Sequence, residues 1–246
     1  MEKSNLERFI SKYHLGGAVG PITIVSDGTT ISVNCASDDK NAIIQISTDT
    51  FPLEAGEYHI FDTAQFRSLL GVLGSDITVK TKTSKGGTPT SLLISDSMTK
   101  VTAVLADKSA IPASPTLKSN PVMEETFSLS DTFVARFLKA KNALAEGSQF
   151  AVISDGKESN VVVNYSETQN TSRIEVPFTT DPKDVKKALK TTYFNTEKFA
   201  AILTANKEAS NGWLMIASNI SNGIAQIKFQ MDGFTVNYYL VGAKAE

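Results

Sequence analysis

The residues of this sequence that could do chemistry with a ligand are basic side chains spaced along predicted helices. Arg8 and Lys12 are four positions apart, and Arg136 and Lys139 are three apart, so each pair shares one face of an α-helix. Cations on a helix face suit phosphate oxygens, which are contacted without regard to base sequence. The other candidates on or beside the predicted helices are Lys3, Arg67, Lys141, Lys198 and Lys207.

Overall composition places limits on such a role. The 246 residues carry a formal charge of −2 and a pI near 5.8, whereas a typical DNA-binding domain is basic. Any DNA contact must therefore depend on local charge. The hydrophobic content of 41% can fill a core, and the absence of a run of about 18 apolar residues predicts no transmembrane helix. The polar start "MEKSNLERF" does not resemble a signal peptide.

Other residues suggest chemistry but lack the partners that it requires. His14 and His59 are far apart in sequence, and neither has a second ligand nearby. The aspartates at 38–39 fit a solvated hairpin tip, and "SKGGTP" at 84–89 lacks the Lys-Ser/Thr that leads a phosphate loop into a helix. Cys35 is the only cysteine, which excludes an internal disulfide and a cysteine metal cage. We expect no enzyme activity, no metal and no cofactor, in a reduced cytoplasmic setting.

The elements that position these residues occur twice. "IFDTAQFRSLLGVLG" at 60–74 and "YFNTEKFAAILTANK" at 193–207 have the same skeleton. "ITIVSDG" at 22–28 matches "FAVISDG" at 150–156, and each ends in an Asp-Gly hairpin signal. Each half reads as helix, three strands, a short strand, helix and three strands. The sequence therefore predicts an α+β fold of two similar domains, each with two helices packed on antiparallel sheets.

Helix signals support this interpretation. Asp62 and Asn195 are suitable N-caps, and Phe66 and Leu70 lie on one apolar stripe that would cover a sheet. The segment "DKSAIPASPTLKSNP" has three prolines and reads as an extended connector. The predicted domains are 1–106 and 122–246, with the connector at 107–121.

A helix-and-strand unit used in two halves with a Pro-rich connector resembles the DNA polymerase sliding clamps. The "YYL" and short tail of "TVNYYLVGAKAE" resemble the C-terminus of proliferating cell nuclear antigen (PCNA). The length, the "FRSLLGVLGSD" helix and the pair of domains look similar to the trimeric clamps of T-even-like bacteriophages.

This resemblance implies a non-enzymatic processivity factor. Three subunits would close into a ring whose helices surround duplex DNA, and an ATP-dependent clamp loader would open it. The replicative DNA polymerase would be held through its C-terminal peptide. The setting would be the host cell cytoplasm if a phage encodes the protein. The basic helix residues named above would then face DNA. No helix clusters Arg, Asn or Gln at one end as base reading requires, so recognition would be independent of base sequence.

The resemblance also implies two protein-contact sites. A partner-peptide pocket between the domains would use Ala42, Ile43, Ile111, Ile224, Tyr239 and Val241. The subunit interface would pair the strand "KVTAVLA" at 100–106 with "SRIEVPF" at 172–178, and Pro177 would limit this pairing because it has no N–H. The residues expected at that interface are Lys100, Val101, Val104, Arg173, Ile174 and Val176.

Other interpretations stay open at this point. A basic residue on an exposed helix face is often only a solvated charge, and Ile43 and Tyr239 fit an ordinary core. The chain also fits a non-enzymatic, β-rich virion or structural protein with an internal pseudo-repeat, or a monomeric DNA-binding processivity factor. An enzyme on an unfamiliar duplicated fold is a further alternative, but it would need a polar catalytic cluster, and the sequence shows none.

Overall fold

A computed structural model describes residues 1–117, 121–168, 170–178 and 187–244. The chain divides into two compact units, Met1–Thr116 with Asp232–Val236, and Leu117–Met231 with Asn237–Glu246. The predicted domain bounds, 1–106 and 122–246 with a connector at 107–121, stay a prediction. Within the predicted connector, residues 118–120 lie outside the described part of the chain.

The first unit contains two α-helices and two antiparallel sheets. Strands β1 to β4 form a sheet in the order β4–β1–β2–β3, and β5–β6–β7 form a second. Helix α1 precedes the first sheet, and α2 lies between the sheets in sequence. The elements are α1 (Lys3–His14), β1 (Ile22–Ser26), β2 (Ile31–Ala36), β3 (Ala42–Thr48), β4 (Gly56–Ile60), α2 (Thr63–Gly71), β5 (Thr78–Thr83), β6 (Pro89–Ser95) and β7 (Lys100–Val104).

The second unit repeats this plan. Its sheets are ordered β11–β10–β9–β12 and β8–β13–β14–β15, and the first residues of β15 cluster with the first unit. The elements are β8 (Glu125–Ser128), α3 (Asp131–Ala143), β9 (Gln149–Asp155), β10 (Ser159–Val163), β11 (Ile174–Pro177), β12 (Ala188–Asn195), α4 (Thr196–Ala205), β13 (Asn211–Ala217), β14 (Ile224–Met231) and β15 (Phe234–Val241).

The two sheet orders correspond strand by strand. β4–β1–β2–β3 matches β12–β9–β10–β11, and β5–β6–β7 matches β13–β14–β15. In the second unit, β8 adds a fourth strand beside β13. At the corresponding place in the first unit there is only an isolated bridge between Glu2 and Asp76. The predicted α+β class and the two similar halves are confirmed.

The equivalent helices α2 and α4 begin in the same way. The side chain of Asp62 accepts a hydrogen bond from the Gln65 N–H at 2.8 Å, and Asn195 accepts one from the Lys198 N–H at 2.8 Å. Each cap satisfies an N–H group that the helix itself leaves unpaired. Among the described residues, no helix is long and apolar enough to span a membrane.

Each core contains phenylalanines that pack a helix against other elements, which are the β3–β4 connection in the first unit and a strand and a second helix in the second unit. In the first unit, Phe9 on α1 lies edge-on to Phe51, with centroids 5.6 Å apart. In the second, Phe137 on α3 contacts Phe150 on β9 at 5.4 Å and Phe199 on α4 at 4.9 Å. Such pairs stabilise by about 0.5–1.5 kcal/mol beyond the burial of apolar surface. The apolar helix faces are therefore committed to the core.

Candidate nucleic-acid and partner interfaces

Helix α3 presents two predicted DNA-facing cations to solvent. The hydroxyl of Ser130 caps the helix by accepting the Phe133 N–H at 3.2 Å. Phe133 and Phe137 are buried on one face, and this leaves Arg136 and Lys139 exposed. The helix thus holds both cations on a rigid support and at one spacing, which suits repeated contact with phosphates.

The equivalent helices α2 and α4 each add one exposed cation. Arg67 lies on α2 and Lys207 follows the end of α4, and both side chains are exposed. Four predicted cations are therefore exposed in the described structure: Arg67, Arg136, Lys139 and Lys207.

The prediction that Lys12 faces outward from α1 is wrong. Its side chain is 0% exposed, and its ammonium lies 5.1 Å from the ring centroid of Phe234. The guanidinium carbon of Arg8 lies 5.0 Å from the same ring, and Arg8 is half-buried. Residues 232–236 cluster with the first unit and cover this face of α1. The two cations therefore hold an aromatic ring through cation–π contacts.

The remaining predicted cations are partly or wholly engaged. Lys198 is only 9% exposed, so its assignment to an open DNA-facing surface is also wrong. Lys3 donates from Nζ to the Leu73 carbonyl at 2.7 Å. Lys141 forms a 2.9 Å ion pair with Glu197, although part of its side chain reaches solvent.

A cavity of about 410 Å³ lies in the first unit. Its walls come from strands β1, β2 and β3, the β2–β3 turn and the connector segment 112–115. The lining residues include Thr23, Asn34 and Ile43, whose strand positions face outward. The cavity therefore combines an apolar wall with a few polar groups, as small binding pockets do.

Only Ile43 of the predicted peptide-pocket residues lines this cavity. Ala42 is fully buried because successive side chains of β3 point to opposite faces, so its assignment to the same pocket is wrong. Ile111 is half-buried and immediately precedes the lining segment.

The other three predicted pocket residues lie on β14 and β15. Tyr239 is buried, and its hydroxyl accepts hydrogen bonds from Gln226 Nε2 at 2.8 Å and Asn237 Nδ2 at 3.0 Å. These bonds fit a structural role. Ile224 and Val241 are half-buried.

Asn34 is a cavity residue that the sequence analysis missed. Its Nδ2 donates to the Pro115 carbonyl of the connector at 3.1 Å. Its Oδ1 is buried and has no hydrogen-bond partner among the described residues. The available signal was the alternation in "ISVNC" of β2, which places Asn34 on the outward face with Ser32.

Cys35 follows Asn34 on β2, and its side chain lies on the buried face of the strand. Burial, with a smaller contribution from the charge of Asp38, raises the pKa of the Cys35 thiol to about 12. The thiol is therefore protonated at neutral pH and packs in the core as a small hydrophobic group.

Both histidines serve as hydrogen-bonding groups inside the first unit. His14 Nδ1 lies 2.9 Å from Thr63 Oγ1, and His59 Nδ1 lies 2.9 Å from Thr23 Oγ1. Burial, followed by the nearby charge of Arg67, lowers the pKa of His14. Within the described ranges, no three His, Cys, Asp or Glu side chains are arranged to hold a metal ion.

The two strands expected at a subunit interface are sheet edges. β7 ends the sheet β5–β6–β7, and β11 ends the sheet β11–β10–β9–β12. On β7, Lys100 is exposed and Val104 is 80% exposed, whereas Val101 turns inward. On β11, Ile174 is half-buried and Val176 is buried. Arg173, just before β11, is exposed.

A second exposed valine accompanies the β7 edge. Val72, which caps the end of α2, is 63% exposed, and α2 packs against β7. Apolar side chains therefore flank one edge that has open backbone N–H and C=O groups, a combination that favours pairing with another strand.

Comparisons with known proteins identify the fold. No family model and no curated protein sequence matches the chain. Among solved structures, PCNA of Entamoeba histolytica matches with a TM-score of 0.71 and 14% identity, over 99% of this chain and 96% of that one. A. fulgidus PCNA, in a structure with the C-terminal region of FEN-1 bound, matches with a TM-score of 0.74 and 13% identity, over 100% and 98%. The chain has the two-domain fold of a PCNA-like sliding clamp.

Proposed function

We propose that this protein is a sliding clamp that encircles duplex DNA and tethers the replicative DNA polymerase. The observation that carries this proposal is the PCNA-like fold, which extends over essentially the whole chain. A fold can serve several functions, so the proposal also depends on the surfaces of the four helices and of the two edge strands. The protein would be a non-enzymatic scaffold of DNA replication.

The exposed cations supply loose attraction to DNA. Arg136 and Lys139 on α3, with Arg67 and Lys207, remain available after the apolar faces have been buried. Duplex DNA carries about one negative charge per 1.7 Å of axis, so a few cations suffice for screened contact. Weak contacts of this kind hold the duplex without fixing its position, and that is what sliding requires.

Ring closure would join β7 of one subunit to β11 of the next. Both are edge strands, and they lie in different units, so the contact is head-to-tail and can close into a ring. Val104 and Val72 would be covered by the neighbouring subunit. We propose a homotrimer, as in the trimeric clamps of T-even-like phages. Native mass spectrometry should give three chains, and a monomer at every concentration or a two-fold symmetric dimer would contradict this assembly.

The cavity beneath the connector is the proposed partner-peptide site. The A. fulgidus structure shows that a PCNA of this fold binds the C-terminal region of FEN-1. By analogy, we propose that the cavity lined by Ile43 and residues 112–115 takes the C-terminal peptide of the polymerase. An ATP-dependent clamp loader would place the ring on DNA. These partners imply work in the cytoplasm, or in the host cytoplasm if a phage encodes the protein.

The decisive experiment is retention on closed circular DNA. Clamps would be loaded on a nicked circle, washed in salt that abolishes direct binding to short linear duplex, and then exposed to a restriction enzyme. Retention before the cut and loss after it is the expected result, because a ring is held by topology. Equal loss from circular and linear DNA would show that the protein binds by surface charge and does not encircle DNA.

A further inference from the structure

The cavity under the connector contains a buried acceptor that has no donor. Asn34 Oδ1 lacks a hydrogen-bond partner among the described residues. The 3.1 Å bond to the Pro115 carbonyl assigns the oxygen and the nitrogen of the Asn34 side chain. A carbonyl oxygen needs a donor, and the amide nitrogen is the only donor in this side chain. The amide nitrogen of Asn34 therefore bonds to the connector, and the amide oxygen remains as an acceptor without a donor.

A second acceptor lies beside it on the neighbouring strand. β1 and β2 pair with Ile24 opposite Val33, so the next antiparallel pair is Thr23 and Asn34, and both line the cavity. Thr23 Oγ1 lies 2.9 Å from His59 Nδ1.

The hydrogen of the Thr23 hydroxyl is assigned by its neighbours. His59 Nε2 is 3.7 Å from the Glu57 carboxylate, which favours the tautomer with hydrogen on Nε2. His59 Nδ1 then accepts from the Thr23 hydroxyl. The hydroxyl oxygen keeps its lone pairs, so Thr23 and Asn34 place two acceptors side by side in the lining of the cavity.

We infer that the peptide bound in this cavity presents an N–H donor to Asn34 Oδ1, and that Asn34 determines peptide specificity. An unpaired buried acceptor is costly, and a ligand donor removes that cost. A peptide that places a carboxylate or carbonyl oxygen there would instead be repelled by both acceptors. This inference rests on the proposed peptide-binding function of the cavity.

The test begins with peptides selected from a random displayed library on the full-length wild-type chain. Their affinities are then measured for Ile43→Asp, which puts a charge into the apolar wall. Peptides that bind the proposed cavity should lose binding to this variant. If no selected peptide depends on Ile43, the proposed peptide site and the present inference are both overturned.

Peptides that depend on Ile43 are then compared on three further variants. Asn34→Leu removes both amide functions at similar size and should weaken binding at least roughly fivefold, because the peptide N–H is left without an acceptor. Asn34→Asp loses the bond to Pro115 but keeps acceptor oxygens, so it should weaken binding less than Asn34→Leu. Ser32→Ala changes the same face of β2 outside the cavity and is the matched control.

Two results would overturn the inference while leaving the peptide site intact. Unchanged affinity in Asn34→Leu would mean that no donor meets Asn34. Equal weakening in Asn34→Leu and Asn34→Asp would mean that Asn34 acts only by holding the connector. Circular dichroism melting of each variant checks that the fold is kept. Replacing each peptide N–H in turn should reveal one donor whose loss is non-additive with Asn34→Leu.

Discussion

Removal of the two exposed cations of α3 should weaken DNA contact and leave the fold intact. The change is the double variant Arg136→Ala with Lys139→Ala. Neither side chain belongs to the buried face, which is held by Phe133 and Phe137, and the Ser130 cap is untouched. Alanine is a strong helix former. We therefore expect the free energy of unfolding to change by no more than about 0.5 kcal/mol.

The expected magnitude follows from the number of phosphates neutralised. Each phosphate contact contributes about −0.9 to the slope of log affinity against log salt concentration for duplex DNA. If both cations contact phosphates, the slope loses about 1.8 per chain that touches the duplex. Salt raised from roughly 50 to 200 mM is a fourfold change. Over that range, the DNA affinity of the double variant should fall by a factor about 12 times smaller than that of the wild type.

The assay is fluorescence anisotropy of a short labelled linear duplex at several salt concentrations. The matched control is Lys80→Ala with Lys82→Ala, which removes the same charge from exposed positions on β5. Only the α3 variant should change the slope by this amount. An equal change in both double variants, or no change in the α3 variant, would refute the assignment of α3 to the DNA-facing surface.

Three further outcomes are expected. Lys12→Met should destabilise by about 1 kcal/mol in urea unfolding, with DNA binding little changed, because it keeps the buried stem but loses the cation over Phe234. Hydrogen bonds from the backbone N–H of Gly74 and from two N–H groups of the following turn lower the pKa of Asp96. Asp96 therefore stabilises the folded state above the ordinary carboxyl pKa, and this stability is lost as pH falls through the lowered pKa. In Asp96→Asn, the melting temperature should therefore fall less steeply with acid than in the wild type. Cys35, with a pKa of about 12, should react with a disulfide reagent at pH 8 only after unfolding, as followed by absorbance.

The sequence predicted the repeated fold because its signals are local. The caps Asp62 and Asn195, the apolar stripes and the Asp-Gly turns each act within a few residues. These signals recur in the same order, so both halves could be predicted together. Phe61 and Phe194 show the limit of this approach. They occupy equivalent positions, yet Phe61 is 63% exposed and Phe194 is fully buried.

Strand register explains this difference. Phe194 of β12 pairs with Phe150 of β9, and their ring centroids are 5.7 Å apart. In the first repeat the equivalent of Phe150 is Ile22, which pairs with Ile60 and not with Phe61. The pairing therefore differs by one residue between the repeats, and a shift of one residue moves a side chain to the other face. Helical or strand periodicity does not contain that information.

The candidate sites were harder to predict because long-range contacts decide which polar groups remain exposed. The spacing of Arg8 and Lys12 correctly placed them on one helix face, but Phe234 comes more than two hundred residues later and covers that face. Asn34 is the reverse case. The strand pattern places it on the outward face like Ser32, and only the contact of its amide with the Pro115 carbonyl, 81 residues away in sequence, distinguishes it.

Duplication and divergence together account for the uneven charge of the helices. Helices α1 and α3 are equivalent, and each carries a basic pair at helical spacing. On α1 that pair holds an aromatic ring, whereas on α3 the pair Arg136 and Lys139 is exposed. An acidic chain can still attract DNA through such a local pair, because charges more than about 8 Å away are largely screened at physiological salt. Under the proposed function, each subunit would thus contact the duplex chiefly through α3, with Arg67 and Lys207 as single additional contacts, and the ring would supply the retention that so few cations cannot.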